Sequence, residues 1–260
     1  MIKILFFSDI VGRPGRAAVK RFLEENKSKL QPDLVIANAD NIASGRGPTA
    51  KTVEEIIDVG VDVLTCGDHV YDQKEAPLIL QDSDKLIRPL NYPASDPGSG
   101  YIIRKIQDTD VLIVNLLGRV WTAEGLDSPF TAMDELLKEH KEKVVIVDFH
   151  AEATSEKIAL SYDLAGKVSA IIGTHTHVMT ADEQIIKKHT AMISDSGFNG
   201  PHESVIGVVP DQSIYRFRTA MPITFELAEG PVQVNAVLLE IDEKTGAAKT
   251  ISRIQEIFNI

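Results

Sequence analysis

Short apolar runs recur along the first two thirds of the chain, with amphipathic segments between several of them. The runs lie at residues 4–7, 34–37, 61–64, 111–114, 144–147 and 170–172. Apolar residues recur at spacings of three and four in residues 17–30, 51–59 and 131–141, and this spacing predicts helices. Strands that alternate with helices form parallel sheets, and an unbroken apolar run is typical of a strand that is buried on both faces.

The pattern changes after about residue 184. The segment EQIIKKHTAMIS predicts a hairpin, and residues 222–257 predict strands joined by turns at Gly230 and at residues 244–246. These strands should be antiparallel. We therefore expect an α/β layered sandwich with a mixed central β-sheet flanked by helices and antiparallel strands near the C-terminus, in a single domain that spans residues 1–260.

Composition and charge narrow the class of protein. Of the 260 residues, 43% are hydrophobic and 25% are charged, and no apolar run reaches the roughly 18 residues of a membrane helix. The single cysteine, Cys66, excludes an intrachain disulfide and favours a reducing, cytoplasmic location. The net charge of −11 argues against a nucleic-acid polymer as partner and fits a small substrate better.

Polar side chains follow the predicted strands at the points where the strands end. They are Asp9, Asp40, Asn41, Asp68, His69, His150, His175 and His177. The carboxyl ends of parallel strands meet at one edge of a sheet, which is where ligands bind. Taken singly, each residue has a simpler explanation, since Asp and Asn favour turns and a lone histidine more often has a structural role. Their recurrence after five separate segments favours a shared site.

The chemistry of these residues points to metal ions. Oxygen and imidazole ligands without a cysteine cluster suit manganese, iron or zinc, and thiolate-bound structural zinc is excluded by composition. There are more candidate ligands than one metal ion needs. Two ions with a bridging carboxylate and imidazoles on either side form a typical site for displacement at phosphorus, so a dinuclear centre is predicted.

Several motifs are similar to those of a known family. The order Asp, acid-Asn, Gly-x-His, His, Gly-x-His-x-His resembles the calcineurin-like metallophosphoesterases, and DIVGRPGR, DFHAEATSEK, GTHTHV and SDSGFNGP resemble the YmdB-like bacterial phosphodiesterases of that superfamily. The resemblance spans almost the whole chain. It implies a metallophosphoesterase-like fold and a metal-dependent hydrolase of small phosphodiesters, with 2′,3′-cyclic nucleotides as the best candidate substrates. It also raises the expectation of a homo-oligomer.

The resemblance also implies a role for each polar residue. Asp9, Asn41 and His177 would bind the first metal ion, Asp68, His150 and His175 would bind the second, and Asp40 would bridge them. A hydroxide between the metals would attack phosphorus, because divalent cations acidify water. His69 would act as the general acid for the leaving oxygen. The two ions would be divalent or trivalent, with iron or manganese favoured and zinc as the alternative.

Three positions depart from the pattern that the resemblance implies. Val11 stands where the superfamily has the histidine of Asp-x-His, so Asn41 would replace that ligand. Asp40 stands where the subfamily usually has Glu, and Asp68 stands where the family motif Gly-Asn-His has Asn. Two divalent ions carry four positive charges, which Asp9, Asp40, Asp68 and a hydroxide would cancel. Asparagine in place of Asp68 would leave the site with one positive charge. We therefore predict retained metal binding with lower or altered catalytic activity.

Asp68 also leaves a second hypothesis open. Under this hypothesis, the chain is a metal-binding regulatory or scaffold protein, and Asp68 at the second metal position makes its catalysis weak or abolishes it. The presence of His69 argues for an enzyme, because a scaffold would need only the metal ligands.

A few further residues are weaker candidates. Arg13, Arg16 and Tyr71 are candidate substrate contacts, although a tight turn in DIVGRPGR and a packing role for Tyr71 explain them equally well or better. Glu152 could orient a ligand histidine, and Asp195 ends an apolar strand close to the same motifs.

Overall fold

Two β-sheets form the centre of the computed structural model, which describes residues 1–81, 83–122 and 125–259. The first sheet contains β1 (Ile2–Phe7), β2 (Asp9–Ile10), β3 (Leu34–Asn38), β4 (Val63–Thr65), β11 (Phe198–Pro201), β12 (Val232–Ile241) and β13 (Ala248–Phe258). Its strand order is β2-β11-β12-β1-β3-β4, and β13 pairs with β12. β1, β3 and β4 are parallel, whereas β12 is antiparallel to β1, so the sheet is mixed.

The second sheet is also mixed. It contains β5 (Tyr101–Ile106), β6 (Thr109–Leu117), β7 (Val144–His150), β8 (Ala170–Thr174), β9 (Gln184–Ile186) and β10 (Thr190–Ile193), in the order β5-β6-β7-β8-β10-β9. The inner strands β6, β7, β8 and β10 are parallel to one another, and the edge strands β5 and β9 are antiparallel to β6 and β10. The hairpin predicted from EQIIKKHTAMIS is the β9–β10 pair.

Helices lie outside the two sheets. They are α1 (Gly12–Leu30), α2 (Ala50–Asp58), α3 (Ala76–Gln81), α4 (Pro129–Glu139), α5 (Thr154–Leu164) and α6 (Pro210–Thr219). Phe22 of α1 and Ile56 of α2 pack on the first sheet, and Met133 of α4 and Leu160 of α5 pack on the second. Among the described helices, none is long and apolar enough to cross a membrane.

The two sheets pack against each other, which explains the unbroken apolar runs. In β1, Ile4 and Phe6 point into the layer between the sheets, where they join Ile146 and Ile172 of the second sheet. The alternate residues of β1, including Phe7, point outward to the helices. The strands β1, β3, β7 and β8 are therefore buried on both faces, as the sequence predicted. The predicted layered α/β sandwich is confirmed, and its central layer consists of two mixed sheets.

The structure differs from the sequence-based boundaries in two places. α1 begins at Gly12, five residues before the amphipathic pattern becomes regular, because its first turn packs against β11 through Gly15. Residues 222–226, which were predicted as part of a strand, form none, and Leu227 makes only an isolated bridge with Val208. That segment follows α6, in which Ser213 is the only buried residue, so the apolar residues here face solvent instead of a sheet.

Candidate metal centre

The polar residues predicted from the strand ends come together at one edge of the molecule. Asp9 follows β1, Asp40 and Asn41 follow β3, Asp68 and His69 follow β4, His150 ends β7, and His175 and His177 follow β8. These strands belong to both sheets, so the site lies where the carboxyl ends of two sets of parallel strands meet.

One cluster consists of Asp68, His150 and His175, whose ligand atoms all lie within 4.8 Å of one another. His150 Nε2 lies 3.0 Å from His175 Nδ1 and 3.2 Å from Asp68 Oδ1, and Asp68 Oδ1 lies 3.5 Å from His175 Nδ1. Asp40 Oδ2 lies 3.5 Å from the same His150 nitrogen. Four potential donor atoms therefore surround a small volume.

A second cluster consists of Asp9, Asn41 and His177. Asp9 Oδ1 lies 3.4 Å from Asn41 Nδ2 and 3.7 Å from His177 Nε2, and the amide lies 3.3 Å from that imidazole nitrogen. Rotation of the Asn41 amide by a half-turn would present its oxygen to a cation, because the two ends of an amide have the same shape. Val11, which stands where the superfamily has a histidine, is buried against Gly200 and Gly207 and offers no ligand atom.

Asp40 adjoins the first cluster and directly precedes Asn41 of the second cluster in the sequence. Its Oδ1 accepts hydrogen bonds from the backbone N–H groups of Gly67, at 2.6 Å, and His69, at 3.0 Å. Its Oδ2 and the Oδ1 of Asp68 are buried and have no hydrogen-bond partner among the described residues. Buried polar atoms are normally paired, so two unpaired carboxylate oxygens on one small volume fit a bound cation.

The charges of the site support the same fit. Burial and the nearby carboxylates of Asp68 and Asp9 raise the pKa of Asp40 well above its usual value. Burial also acts to raise the pKa of Asp68, but the imidazoles of His150 and His175 outweigh it and hold that pKa far below the usual range. The carboxylates of Asp9 and Asp68 disfavour the ionised form of Asp40, and a bound cation would favour it.

Asp9 is held as a carboxylate by its own neighbours. It is fully buried, which raises its pKa, yet the His177 and His150 imidazoles lower the pKa by more, and His175 donates its backbone N–H to Oδ2 at 3.2 Å. The same carboxylate raises the pKa of His177 against the effect of burial. Asp9 therefore offers an ionised ligand oxygen.

A buried relay that the sequence analysis missed fixes the proton on His150. The hydroxyl of Thr174 donates to Asp148 Oδ1 at 2.7 Å, so it accepts from the Nδ1 of His150, 2.9 Å away. The proton on Nδ1 leaves the lone pair of Nε2 facing Asp40 and Asp68. This is the usual support for a metal-binding histidine. Asn38 also donates to Asp148, at 2.9 Å, and burial raises the pKa of Asp148 to about 7.

His175 has a comparable orientation. Glu152 Oε2 lies 3.1 Å from its Nε2, which favours a proton on that nitrogen and leaves Nδ1 free to face His150. The structure therefore places Glu152 where the sequence analysis expected it, next to a candidate ligand histidine. With these tautomers, the lone pairs of His150 Nε2 and His175 Nδ1 and the oxygens of Asp40 and Asp68 face one small volume.

His69 lies at the rim of the site, with about a third of its side chain exposed. Its Nδ1 lies 2.9 Å from Asp72 Oδ2, and its backbone N–H is bonded to Asp40. The carboxylate of Asp72, which the sequence analysis did not single out, accepts from Nδ1 and leaves Nε2 available. The i,i+3 spacing of His69 and Asp72 was the signal that could have identified it.

Two glycines permit the close packing behind the ligands. A Cβ atom on Gly67 would lie 2.2 Å from Cδ2 of His150, and one on Gly173 would lie 1.8 Å from the carbonyl oxygen of Ser194. Neither position can hold a side chain without displacing a neighbour. The glycine of the Gly-Asp-His stretch thus allows the His150 ring to approach the β4 loop.

The weaker candidates make contacts of other kinds. Arg16 binds Glu55, with Nε to Oε2 at 2.9 Å, and donates to the carbonyl of Ile42. Arg13 is exposed on the first turn of α1. Tyr71 donates its hydroxyl to Pro97 and packs edge-on against Tyr92. Arg16 and Tyr71 therefore have structural partners that account for them.

Comparisons with known proteins show what this chain is similar to. The sequence matches a model of the family described as "YmdB-like protein" over residues 5–254. It is 41% identical over 255 residues to a 2′,3′-cyclic-nucleotide 2′-phosphodiesterase of Bacillus subtilis, covering 97% of this chain and 96% of that protein. A crystal structure of a novel phosphatase from Mycoplasma pneumoniae superposes with a TM-score of 0.94 at 37% identity, covering 99% of this chain and 94% of that one.

A more distant structure shows the fold. A calcineurin-like phosphoesterase from Bacillus subtilis superposes with a TM-score of 0.58 at 14% identity, covering 99% of this chain and 90% of that one. The two-sheet sandwich described above is therefore the calcineurin-like phosphoesterase fold.

Proposed function

This chain belongs to the YmdB-like protein family, and from that premise we propose that it hydrolyses small phosphodiesters, with 2′,3′-cyclic nucleotides as the substrate class. Family membership confirms the resemblance drawn from the motifs and identifies the chain as a phosphoesterase. The observation that carries the proposal is the pair of buried carboxylate oxygens, on Asp40 and Asp68, that face imidazole nitrogens without a hydrogen-bond partner among the described residues.

We propose two metal positions at these clusters. Asp68, His150 and His175 would hold one ion, Asp9, Asn41 and His177 would hold the other, and Asp40 would contact both. Bound divalent cations supply Lewis acidity toward a phosphoryl group and toward water. The mixture of hard oxygen and imidazole donors supports iron or manganese, with zinc as the alternative.

The protein itself would supply the proton for the leaving oxygen. His69 is the exposed imidazole of the site, and Asp72 holds its Nδ1 so that Nε2 is the atom available for transfer. Its backbone is tied to Asp40 Oδ1, so the acid sits at a fixed place beside the proposed ions. A positioned general acid contributes roughly 10²–10⁴-fold to the rate of proton-transfer steps.

The test combines metal analysis with hydrolysis. Purified protein would be analysed for metals and assayed with 2′,3′-cyclic AMP and with bis(p-nitrophenyl) phosphate, before and after loading with Mn²⁺. His69→Asn should retain the metals and lose most of the turnover. His140→Asn is the matched control, because His140 also faces a carboxylate, Glu142, but lies at the end of α4.

The result also separates the two hypotheses that Asp68 leaves open. Bound metal with no turnover that depends on His69, on either substrate, would favour the regulatory or scaffold alternative. Turnover in wild type that falls in His69→Asn and persists in His140→Asn would support the enzyme. The Asp72 contact favours the enzyme, because it orients an imidazole outside the two ligand clusters.

A further inference from the structure

A fully buried ion pair lies behind the loop that carries two of the candidate ligands. Lys157 of α5 and Asp195 are 2% and 1% exposed, and Lys157 Nζ lies 2.7 Å from Asp195 Oδ2. Lysine is almost never buried to this extent unless it is paired. Burying such a pair typically contributes little to stability, because desolvation offsets the attraction. Stability alone is therefore a poor explanation for this arrangement.

The carboxylate of the pair also binds the ligand loop. Asp195 Oδ2 accepts the backbone N–H of Thr176 at 2.9 Å, and Thr176 lies between His175 and His177. His175 has a φ of 102° and His177 has a φ of 62°, so both ligand residues adopt backbone conformations that L-residues rarely occupy. Such conformations persist only where surrounding contacts enforce them.

Other contacts of Asp195 hold the carboxylate in place. Its Oδ1 accepts the N–H of Gly197 at 2.9 Å, and its backbone carbonyl accepts the N–H of Thr180 at 3.0 Å. The ammonium of Lys157 therefore fixes the remaining oxygen, Oδ2, which is the one that holds Thr176. Among the described residues, no hydrogen bond or ion pair joins Lys157 to His175 or His177, so its polar effect on them passes through Asp195 and the Thr176 amide.

We propose that Lys157 and Asp195 are positioning residues that hold the Thr176 amide and thereby keep His175 and His177 in the geometry for metal binding, one on each proposed ion. The expected effect on metal binding rests on the proposed function, with its two metal positions. The contact on which it depends, between Asp195 and Thr176, is a property of the metal-free protein.

The experiment uses full-length Lys157→Met, Asp195→Leu, the double variant and Lys157→Arg. Three measurements are made: amide exchange at Thr176 in metal-free protein, Mn²⁺ affinity by chelator competition, and the visible spectrum of the Co²⁺-loaded protein. The control is Leu160→Ala, which truncates a fully buried apolar residue on the same helix that packs in the hydrophobic cluster on the second sheet. Its loss in melting temperature calibrates the effect of destabilisation alone.

We expect Lys157→Met to accelerate exchange at Thr176, weaken Mn²⁺ binding by about 10–100-fold and alter the Co²⁺ spectrum, as is typical when support for ligands is lost. Lys157→Arg should recover part of the affinity. The double variant removes both buried charges, so its melting temperature should return toward wild type while its Mn²⁺ affinity stays low.

Two results would overturn the inference. The first is a Mn²⁺ affinity that changes in parallel with the melting temperature across all variants. It would then recover in the double variant, and it would fall in Leu160→Ala as much as in Lys157→Met. The other is unchanged exchange at Thr176 in Lys157→Met. A wild-type protein that binds no metal would refute the proposed function instead, and the exchange measurement would still decide the role of the ion pair.

Discussion

The carboxylate of Asp68 should lower the catalytic rate, and Asp68→Asn is the substitution that tests this. Asp68 Oδ1 lies 3.2 Å from His150 Nε2 and 3.5 Å from His175 Nδ1, and it has no hydrogen-bond partner among the described residues. Asparagine has nearly the same shape and keeps an oxygen ligand. The substitution therefore removes one negative charge from the site and changes little else.

The magnitude follows from the position of Asp68. At about 5 Å from a phosphodiester anion, one unit charge contributes about 3 kcal/mol at an effective dielectric constant of about 20, and about 0.8 kcal/mol in bulk water. The side chain of Asp68 is 25% exposed, which places it between these limits. A repulsion of about 1.4 kcal/mol corresponds to a roughly tenfold difference in rate. The same lost charge should weaken metal binding by a comparable factor.

The assay measures kcat/KM for bis(p-nitrophenyl) phosphate in saturating Mn²⁺, together with Mn²⁺ affinity by chelator competition. Asp68→Asn should raise kcat/KM about tenfold and weaken Mn²⁺ binding. Asp110→Asn makes the same change of net charge on an exposed residue near the start of β6, at the opposite end of the strand from the site. If Asp68→Asn alters neither quantity, or if Asp110→Asn has the same effect, the electrostatic reasoning is refuted.

Three further predictions concern the support of the site. Thr174→Val breaks the contact between His150 and Asp148, so Mn²⁺ affinity should fall about 10–100-fold in a chelator titration. Gly67→Ala places a Cβ atom against the His150 ring, so the melting temperature should fall by several degrees and metal retention should decrease; unchanged values would contradict the packing argument. Removal of metal with EDTA should lower the melting temperature, because ions at about 100 times their dissociation constant add about 2.7 kcal/mol; Mn²⁺ should restore it.

The positions of the site residues could be predicted because they are consequences of topology. Asp9, Asp40, Asp68, His150 and His175 each follow an apolar run, and parallel strands bring their carboxyl ends to one edge. The pattern of apolar residues along the chain could not show that the strands divide between two sheets. A residue that faces a second sheet and one that faces a helix are both apolar, as Phe6 and Phe7 illustrate.

The supporting residues were missed for a different reason. Asp148 lies inside an apolar strand two residues before His150, where its polarity was the only signal, and its partners Thr174 and Asn38 come from other strands. Such contacts depend on strand register, which sequence spacing does not give. Lys157 was missed because lysine on a helix is normally solvated, and only the packing of α5 shows that it is buried.

The geometry around Asp40 makes His69, and not a candidate ligand, the position where a substitution would separate the proposed catalysis from the proposed metal binding. Asp40 uses Oδ1 to hold the backbone of His69 and leaves Oδ2 for the proposed ions. A substitution at Asp40 would therefore disturb the acid and the metals together, and lost turnover would have two explanations. His69→Asn keeps the backbone N–H that Asp40 accepts and removes only the imidazole that Asp72 orients. If that variant keeps its metal content and loses turnover, the loss can be attributed to the missing proton donor.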